Sequence, residues 1–303
     1  MTTGRKAPPT NRATKRAITR AMIDAYDEYT HLTLDRRGFM EKLTKLAGST
    51  AAAAAIAPML AANAAKAAIV PADDARLTSQ TVSFETEAGT ASGYLAMPAD
   101  KGGPLPGIVV VHENRGVNEH IRDVARRVAL EGFVALAPDF LSTSGGTPAD
   151  EDKAREMISN LPADGALAIG LGAIAFLADN PETTGKVGVV GFCWGGGIVN
   201  RLAVRAPGLG AAVAYYGRVP DPADVPNIKA KLLLHYAGLD ERVNAGIPDF
   251  RAALDAAGVD YTVYVYDNVN HAFNNDTSEA RYDEAAATLA WERTIAFFRE
   301  TLG

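Results

Sequence analysis

The sequence contains only one cysteine, Cys193, among its 303 residues. A single cysteine excludes an internal disulfide, so the folded chain must be stabilised by packing. The hydrophobic fraction of 48% is that of a soluble globular protein, and the length allows one large domain with a tail. Cys193 is therefore expected to be a free thiol, which either fills the core or takes part in chemistry.

Residues 68–303 lack the basic surplus that a nucleic-acid-binding surface needs. Residues 1–67 contain 11 Lys and Arg against 5 Asp and Glu, a net charge of +6, whereas the remainder contains 19 against 31, a net charge of −12. Proteins bind a phosphate backbone through basic side chains that release its counterions. The acidic body argues against nucleic acid as a partner, and the basic N-terminal part needs a separate explanation.

The N-terminal part also lacks a strongly hydrophobic run. Residues 35–67 pass from the paired arginines Arg36 and Arg37 through an alanine-dominated stretch to small residues of the Ala-x-Ala kind, the layout of an export signal. The arginines with the following Gly-Phe-Met resemble the twin-arginine type, whose machinery carries folded proteins across a bacterial inner membrane. Cleavage is expected after Ala67.

A retained membrane anchor and a disordered tail are the alternatives for this region. Pro58, Asn63 and the weak hydrophobicity of alanine disfavour a stable transmembrane helix, so no membrane span is expected in the mature protein. Residues 1–34 are interpreted as a solvated polar extension with no assigned function, in which residues 22–29 are compatible with a helix. Export would make residues 68–303 a periplasmic protein.

Apolar runs alternate with helical periods from Leu77 onward, which predicts an α/β fold with a mostly parallel central sheet and helices on both faces. A hairpin is expected around residues 87–90. The later strands are read in GIVVVHE, FVALAPDF, KVGVVGF, GAAVAYYG, KLLLHYAG and YTVYVYD, and a closing helix is expected from about Ser278 to Leu302. Ligands bind at the carboxyl ends of such strands, so the candidate chemistry should follow them directly.

Cys193 lies in Gly-Phe-Cys-Trp-Gly, residues 191–195, directly after one of these strands. This is the G-x-nucleophile-x-G form of a nucleophile elbow, with sulfur in place of the hydroxyl. Flanking glycines allow a sharp strand-to-helix turn that exposes the central side chain, and the helix N-terminus favours a thiolate. The alternative is a buried structural cysteine beside a glycine-rich helix start.

Two further polar residues follow later strands. Asp240 comes after KLLLHYAG and His271 after YTVYVYD, so the chain order is nucleophile, acid, histidine, as in α/β-hydrolases. His271 would take the thiol proton and return it to a leaving group, while Asp240 would orient the imidazole. Alternatively, Asp240 forms only a turn and His271 only caps or packs.

An oxyanion hole is expected beside Cys193. The backbone N–H of Trp194, immediately after the nucleophile, supplies one donor. The loop after the GIVVVHE strand should supply the second, and the N–H of Asn114 is the candidate.

The motifs GFCWGG, HENRG, GLDERV and HAF together resemble the dienelactone hydrolase family, in the α/β-hydrolase superfamily, over about residues 82–303. The resemblance implies a Cys-His-Asp triad that hydrolyses esters or lactones without a metal or cofactor. It also implies that Glu113 interacts with the resting thiol and takes part in its activation, as a buried carboxylate near sulfur can. A salt bridge to Arg115 is the alternative for Glu113.

The sequence departs from the family where the dienelactone carboxylate would bind. Family members that open dienelactones hold it with one arginine shortly after the Pro-Asp loop and one four residues after the catalytic histidine. The corresponding stretches here, residues 138–143 and 271–275, contain no arginine, although Arg281 could act from the following segment. The resemblance therefore implies the reaction class rather than dienelactone as substrate.

Three other functions compete with ester or lactone hydrolysis. A metal hydrolase is suggested by His112-Glu113, but Gly116 occupies the second histidine position of H-E-x-x-H, and the remaining histidines have no ligand spacing. His235 is assigned to a strand and His120 to a solvated helix face. An acyltransferase and a noncatalytic binding protein on the same fold remain alternatives.

Overall fold

A computed structural model describes residues 18–31, 33–61 and 68–303. These residues form two compact units. The first combines the described residues up to Ala61 with Asn275–Tyr282, and the second consists of residues 68–274 and 283–303. The expected cleavage site after Ala67 and most of the predicted polar extension lie outside the described residues.

The first unit contains three helices: α1 (Arg20–Thr30), α2 (Arg36–Ala47) and α3 (Thr50–Leu60). Asp35 caps α2 by accepting a hydrogen bond from the Gly38 N–H at 2.7 Å. The rings of Tyr29 and Phe39 stack with centroids 4.8 Å apart, so α1 is packed where the sequence predicts a solvated extension. Arg36 and Arg37 form the first turn of α2.

Across the three described ranges, no single helix is long and apolar enough to cross a membrane. Two helix pairs meet that criterion only when each pair is taken together across a sharp bend. These pairs are Arg36–Ala47 with Thr50–Leu60, and Glu151–Ser159 with Ala163–Asp179.

The second unit is built on an eight-stranded sheet with the order β1-β2-β4-β3-β5-β6-β7-β8. β2 pairs antiparallel with β1 and β4, and the other neighbouring strands are parallel. The strands are β1 (Leu77–Phe84), β2 (Ala91–Pro98), β3 (Leu105–Val111), β4 (Val134–Pro138), β5 (Thr183–Phe192), β6 (Ala211–Tyr215), β7 (Lys231–Ala237) and β8 (Tyr261–Tyr266). The predicted α/β architecture and leading hairpin are confirmed.

Helices cover both faces of this sheet and enclose two apolar layers. One layer lies beneath α6, α7 and α9, and the other beneath α4 and α10. The helices are α4 (Glu119–Leu130), α5 (Glu151–Ser159), α6 (Ala163–Asp179), α7 (Trp194–Arg205), α8 (Glu241–Asn244), α9 (Ile247–Ala257) and α10 (Glu284–Leu302). Strands β3, β4, β6 and β7 read as largely continuous apolar runs because both of their faces are buried.

Two local predictions are corrected. The closing helix begins at Glu284 rather than near Ser278, because the Asp283 side chain accepts the Ala286 N–H at 3.0 Å and caps it there. His120 is buried rather than solvated. Eight of the twelve residues of α4 are buried, so the solvated face of this helix is narrower than its sequence suggests.

Candidate active site

Cys193 occupies a strained turn between β5 and α7, with φ of 56° and ψ of −114°. A Cβ at Gly191 would lie 2.4 Å from the Gly195 carbonyl oxygen, and a Cβ at Gly195 would lie 2.4 Å from the His112 carbonyl oxygen. Both positions therefore require glycine. A non-glycine residue with positive φ held between two such glycines is the backbone geometry of a nucleophile elbow.

The elbow is fixed to the neighbouring strand. The Cys193 N–H donates to the Tyr215 carbonyl at the end of β6 at 3.0 Å, and the Gly197 N–H donates to the Cys193 carbonyl at 3.2 Å as α7 begins. The side chain is only partly buried. The thiol thus lies at the N-terminus of a twelve-residue helix, whose dipole stabilises negative charge.

Asp240 and His271 meet at the carboxyl ends of β7 and β8. The distance from His271 Nδ1 to Asp240 Oδ2 is 2.5 Å, and both side chains are buried. The other carboxylate oxygen of Asp240 accepts the Val243 N–H at 3.2 Å, which fixes the carboxylate at the start of α8. Cys193 Sγ and a His271 ring nitrogen lie within 4.8 Å of each other. The structure therefore brings together the three side chains that the sequence singles out.

Neighbouring charges shift the pKa values of both His271 and Asp240. Burial lowers the pKa of His271, but negative charge on Cys193 and Asp240 and hydrogen bonds to both outweigh it and raise this pKa to about 10. Burial raises the pKa of Asp240, yet the His271 charge, its hydrogen bond and the Arg242 charge bring that pKa below its ordinary value. These shifts favour a protonated imidazole at His271 beside an ionised Asp240.

The loop after β3 passes directly against the elbow. The narrow gap between Gly195 and the carbonyls of Val111 and His112 shows how closely the two segments approach. Glu113 in this loop is buried, and Asn114 follows in a half-buried turn. The loop predicted to supply Glu113 and a second oxyanion donor is therefore adjacent to the nucleophile turn.

His112 supports this loop, a role that sequence reasoning missed because this histidine was considered only as a metal ligand. The Phe140 N–H donates to His112 Nε2 at 3.4 Å, so Nδ1 carries the proton and donates to the Glu113 carbonyl at 2.6 Å. Burial lowers the pKa of His112, which keeps the ring neutral. Its ring stacks on Trp194 with centroids 5.2 Å apart and an interplanar angle of 12°.

The contacts of Arg115 and Gly116 explain why these two residues occur in the loop after β3. Arg115 forms an ion pair with Glu151 of α5. Gly116 has φ of 74°, and a Cβ there would lie 2.2 Å from Thr147 Oγ1. The position that would be the second histidine of H-E-x-x-H therefore has no room for a side chain.

Tyr216 is a second neighbour of the site that the sequence analysis did not single out. Its φ is 40°, and its ring centroid lies 4.8 Å from that of His271 and 5.5 Å from that of Phe273. The signal available in the sequence was its place immediately after β6, at the same sheet edge as the other site residues. Tyr216 limits the space beside the imidazole.

Arg281 lies in the first unit. Its guanidinium is 3.2 Å from Asp27 Oδ1, donates to Ser278 Oγ at 3.0 Å, and lies 5.0 Å from the centroid of the Tyr26 ring. These contacts account for its buried side chain.

Comparisons with known proteins identify the family of the chain. A sequence model described as the dienelactone hydrolase family matches residues 91–302. A protein of Escherichia coli O157:H7 whose name assigns it to the carboxymethylenebutenolidases is 33% identical over 79% of this chain and 93% of its own length. Protein usf of Aquifex pyrophilus is 37% identical over 74% of this chain and 99% of its own length.

Solved structures give the same result. A Klebsiella pneumoniae protein assigned to the dienelactone hydrolases superposes with a TM-score of 0.67 at 30% identity, over 74% of this chain and 99% of its own. The dienelactone hydrolase-like promiscuous phosphotriesterase P91, from metagenomic libraries, superposes with a TM-score of 0.69 at 26% identity, over 75% and 99%. The predicted α/β-hydrolase fold is confirmed, and the chain belongs to the dienelactone hydrolase family, whose members hydrolyse ester and lactone bonds of small molecules.

Proposed function

We propose that the chain is a cysteine hydrolase that cleaves small esters or lactones through a covalent thioester. The observation that carries the proposal is the buried Asp240–His271 pair, with its 2.5 Å hydrogen bond, beside the strained Cys193 elbow. An orienting carboxylate, a base and a nucleophile at the carboxyl ends of strands in one sheet are the components of nucleophilic acyl transfer.

The reaction begins with attack of the Cys193 thiolate on the substrate carbonyl. The carbonyl oxygen becomes an oxyanion, which the N–H groups of Trp194 and Asn114 stabilise. The carbon–oxygen bond to the leaving group then breaks, and His271 protonates the departing alkoxide. Water, deprotonated by His271, attacks the thioester and releases the acid, and the sulfur leaves as the thiolate. Asp240 holds the imidazole in the required tautomer throughout.

Glu113 is proposed to control the resting thiol, as the family resemblance implies. It is buried in the loop that packs against the elbow, so its charge acts in a medium of low polarity. When substrate enters, movement of this carboxylate allows the thiolate to form. The arginines that hold the dienelactone carboxylate in the family are missing from the matching positions. We therefore expect neutral or weakly polar esters and lactones as substrates, rather than dienelactone itself.

The single cysteine makes the nucleophile directly testable. A slow ester substrate should add one acyl group to the intact protein by mass, and the added group should map to Cys193. Cys193→Ala should abolish both the adduct and hydrolysis while the thermal unfolding midpoint is retained, and Cys193→Ser should keep little activity. Unchanged turnover by Cys193→Ala would refute the nucleophile.

The outcome with an added alcohol separates hydrolysis from acyl transfer. A hydrolase releases the free acid in water, whereas an acyltransferase gives mainly the new ester even at modest alcohol concentration. A noncatalytic binding protein would form no acyl adduct at Cys193 and would release no acid from an ester substrate.

We also propose that the chain is exported by a twin-arginine machinery, is cleaved after Ala67 and acts in the periplasm, as residues 68–303. The side chain of Arg37 is 87% exposed at the start of α2, which leaves it accessible to a receptor. Replacing both Arg36 and Arg37 with lysine should retain the full-length chain in the cytoplasm, while Arg20→Lys, as control, should not. N-terminal sequencing of the periplasmic protein tests the cleavage site, and a periplasmic chain that begins at Met1 would refute it.

A further inference from the structure

A chain of buried polar side chains crosses the second unit beneath the candidate active site. Tyr215 of β6, His235 of β7 and Thr294 of α10 are each no more than 1% exposed. Tyr215 Oη lies 2.7 Å from Thr294 Oγ1, and His235 Nε2 lies 3.2 Å from the same hydroxyl. At the other side of the ring, His235 Nδ1 lies 3.0 Å from Tyr266 Oη. The proposed mechanism uses none of these groups.

Arg293 lies at one end of this chain of hydrogen bonds. Its guanidinium only donates, and it donates to Tyr266 Oη at 3.1 Å while lying 3.6 Å from the centroid of the Tyr264 ring. The same Tyr266 hydroxyl lies within hydrogen-bond distance of His235 Nδ1. Thr294 Oγ1 lies within hydrogen-bond distance of both His235 Nε2 and Tyr215 Oη. Every ring nitrogen and hydroxyl oxygen between Arg293 and Tyr215 therefore has a partner.

His235 is held as a neutral ring. Burial is the main cause of its lowered pKa, which is about 3, and the charge of Arg293 acts in the same direction. His235 is faced by the hydroxyls of Tyr266 and Thr294. The rings of Tyr215 and Tyr264 also face it, with centroids 4.5 Å and 6.0 Å from that of His235. A neutral imidazole with both nitrogens bonded is a rigid link between two strands and a helix.

Each strand joined by this link leads to one of the reacting groups. His235 lies opposite Tyr215 in β6 and Tyr264 in β8. The carbonyl of Tyr215 receives the Cys193 N–H at 3.0 Å, and the carbonyl of Tyr266 receives the Gly238 N–H at 2.7 Å, two residues before Asp240. His271 follows Tyr266 by five residues. The network thus joins the strand ends that set the positions of sulfur, carboxylate and imidazole.

We propose that His235 and Thr294 are positioning residues, which fix the ends of β6, β7 and β8 relative to one another and so align Cys193, Asp240 and His271. The proposal rests on the assignment of those three residues as the triad. A buried network in which every polar group is hydrogen-bonded favours a single conformation of its side chains. Displacing one side chain would leave a polar group without a hydrogen bond in a medium of low polarity. Displacements of about 1 Å at reacting groups can reduce rates by about 100-fold.

Thr294→Val tests the proposal, because valine keeps the shape of threonine and removes only the hydroxyl. We expect kcat to fall about tenfold, with KM changed less than about twofold. The rate of Cys193 alkylation by iodoacetamide should fall as well, and its pH dependence should shift. Thr294→Ser restores the hydroxyl and should recover most of kcat. Thr288→Val, at an exposed position of the same helix, is the control and should match the wild type.

A purely structural role would lower the unfolding midpoint without changing kcat or the pH profile, and that result would overturn the proposal. An equal loss of kcat in Thr294→Ser would also overturn it. If Thr294→Val does not fold, Tyr266→Phe provides the test, since it removes only the hydroxyl bonded to His235 and Arg293 and should lower kcat similarly. Full activity of Cys193→Ala would instead refute the proposed function itself.

Discussion

The Asp240 carboxylate forms a hydrogen bond through each of its two oxygens. Oδ2 lies 2.5 Å from His271 Nδ1, and Oδ1 accepts the Val243 N–H at 3.2 Å. One oxygen thus orients the imidazole while the other anchors the carboxylate to the start of α8. This arrangement leaves Asp240 little freedom to follow His271 if the ring moves. The orientation of the imidazole is therefore determined by the backbone of the β7 to α8 turn.

Asp240→Asn should lower kcat about 100-fold, less than the loss in Cys193→Ala, because the amide keeps the shape but not the charge. The amide can also present an N–H to His271 Nδ1 and stabilise the wrong tautomer. Steady-state hydrolysis of an activated ester measures the effect. Asp249→Asn, at an exposed position of α9, is the matched control. Equal activity of Asp240→Asn and the wild type would contradict the role of the carboxylate.

Stability should depend on pH through the same groups. Since the folded-state pKa of His271 is raised from 6.5 to about 10, its stabilising contribution is fully present below about pH 6.5 and is lost as the pH rises through about 10. The pKa of Asp240 is lowered from 3.8, so its contribution is present above that value and is lost as the pH falls through the lowered pKa.

Urea unfolding of the wild type and His271→Ala measures this dependence. The difference in the free energy of unfolding should be constant from about pH 5 to 6.5 and should decrease towards pH 10. His120→Ala, in α4, serves as a control for loss of a buried histidine. A difference that increases between pH 7 and 10 would show that the imidazole is not held in its protonated form.

Much of the second unit could be predicted from sequence because its signals are local. Continuous apolar runs such as that of β3 identify buried parallel strands, and the elbow glycines specify a turn that other residues cannot form. The order Cys193, Asp240, His271 then places three side chains at one sheet edge, as the structure shows. Local patterns sufficed because each residue lies within five residues of the end of its strand.

The remaining features depend on contacts between distant segments. The buried state of His120 follows from how much of α4 the sheet covers, which the helical period alone does not give. His112 and His235 gain their partners from Phe140, Tyr266 and Thr294, far away in the chain. The packing of α1 likewise depends on Phe39 in the next helix. Such pairings arise from tertiary packing, for which a single sequence carries little signal.

Gly191→Ala should destabilise the fold and reduce activity together. The new Cβ would lie 2.4 Å from the Gly195 carbonyl oxygen, a backbone atom that cannot move aside without displacing the elbow. We expect a loss of about 1 to 3 kcal/mol in the free energy of unfolding. Gly208→Ala is the matched control, because its Cβ would meet no described atom within 4 Å. Equal unfolding midpoints for the two variants would contradict the tight approach of the glycines.

His112→Phe separates the two functions of this ring. Phenylalanine can keep the stacking on Trp194, but it cannot accept the Phe140 N–H or donate to the Glu113 carbonyl. Two buried backbone groups lose their partners, so the free energy of unfolding should fall by about 1 to 3 kcal/mol. Because the Glu113 backbone is no longer held, kcat should also fall, by about tenfold.

His112→Gln, which can donate and accept, should recover part of both losses, and thermal unfolding with ester hydrolysis measures them. If His112→Phe keeps the wild-type kcat while losing stability, the ring supports the fold but does not set the position of Glu113.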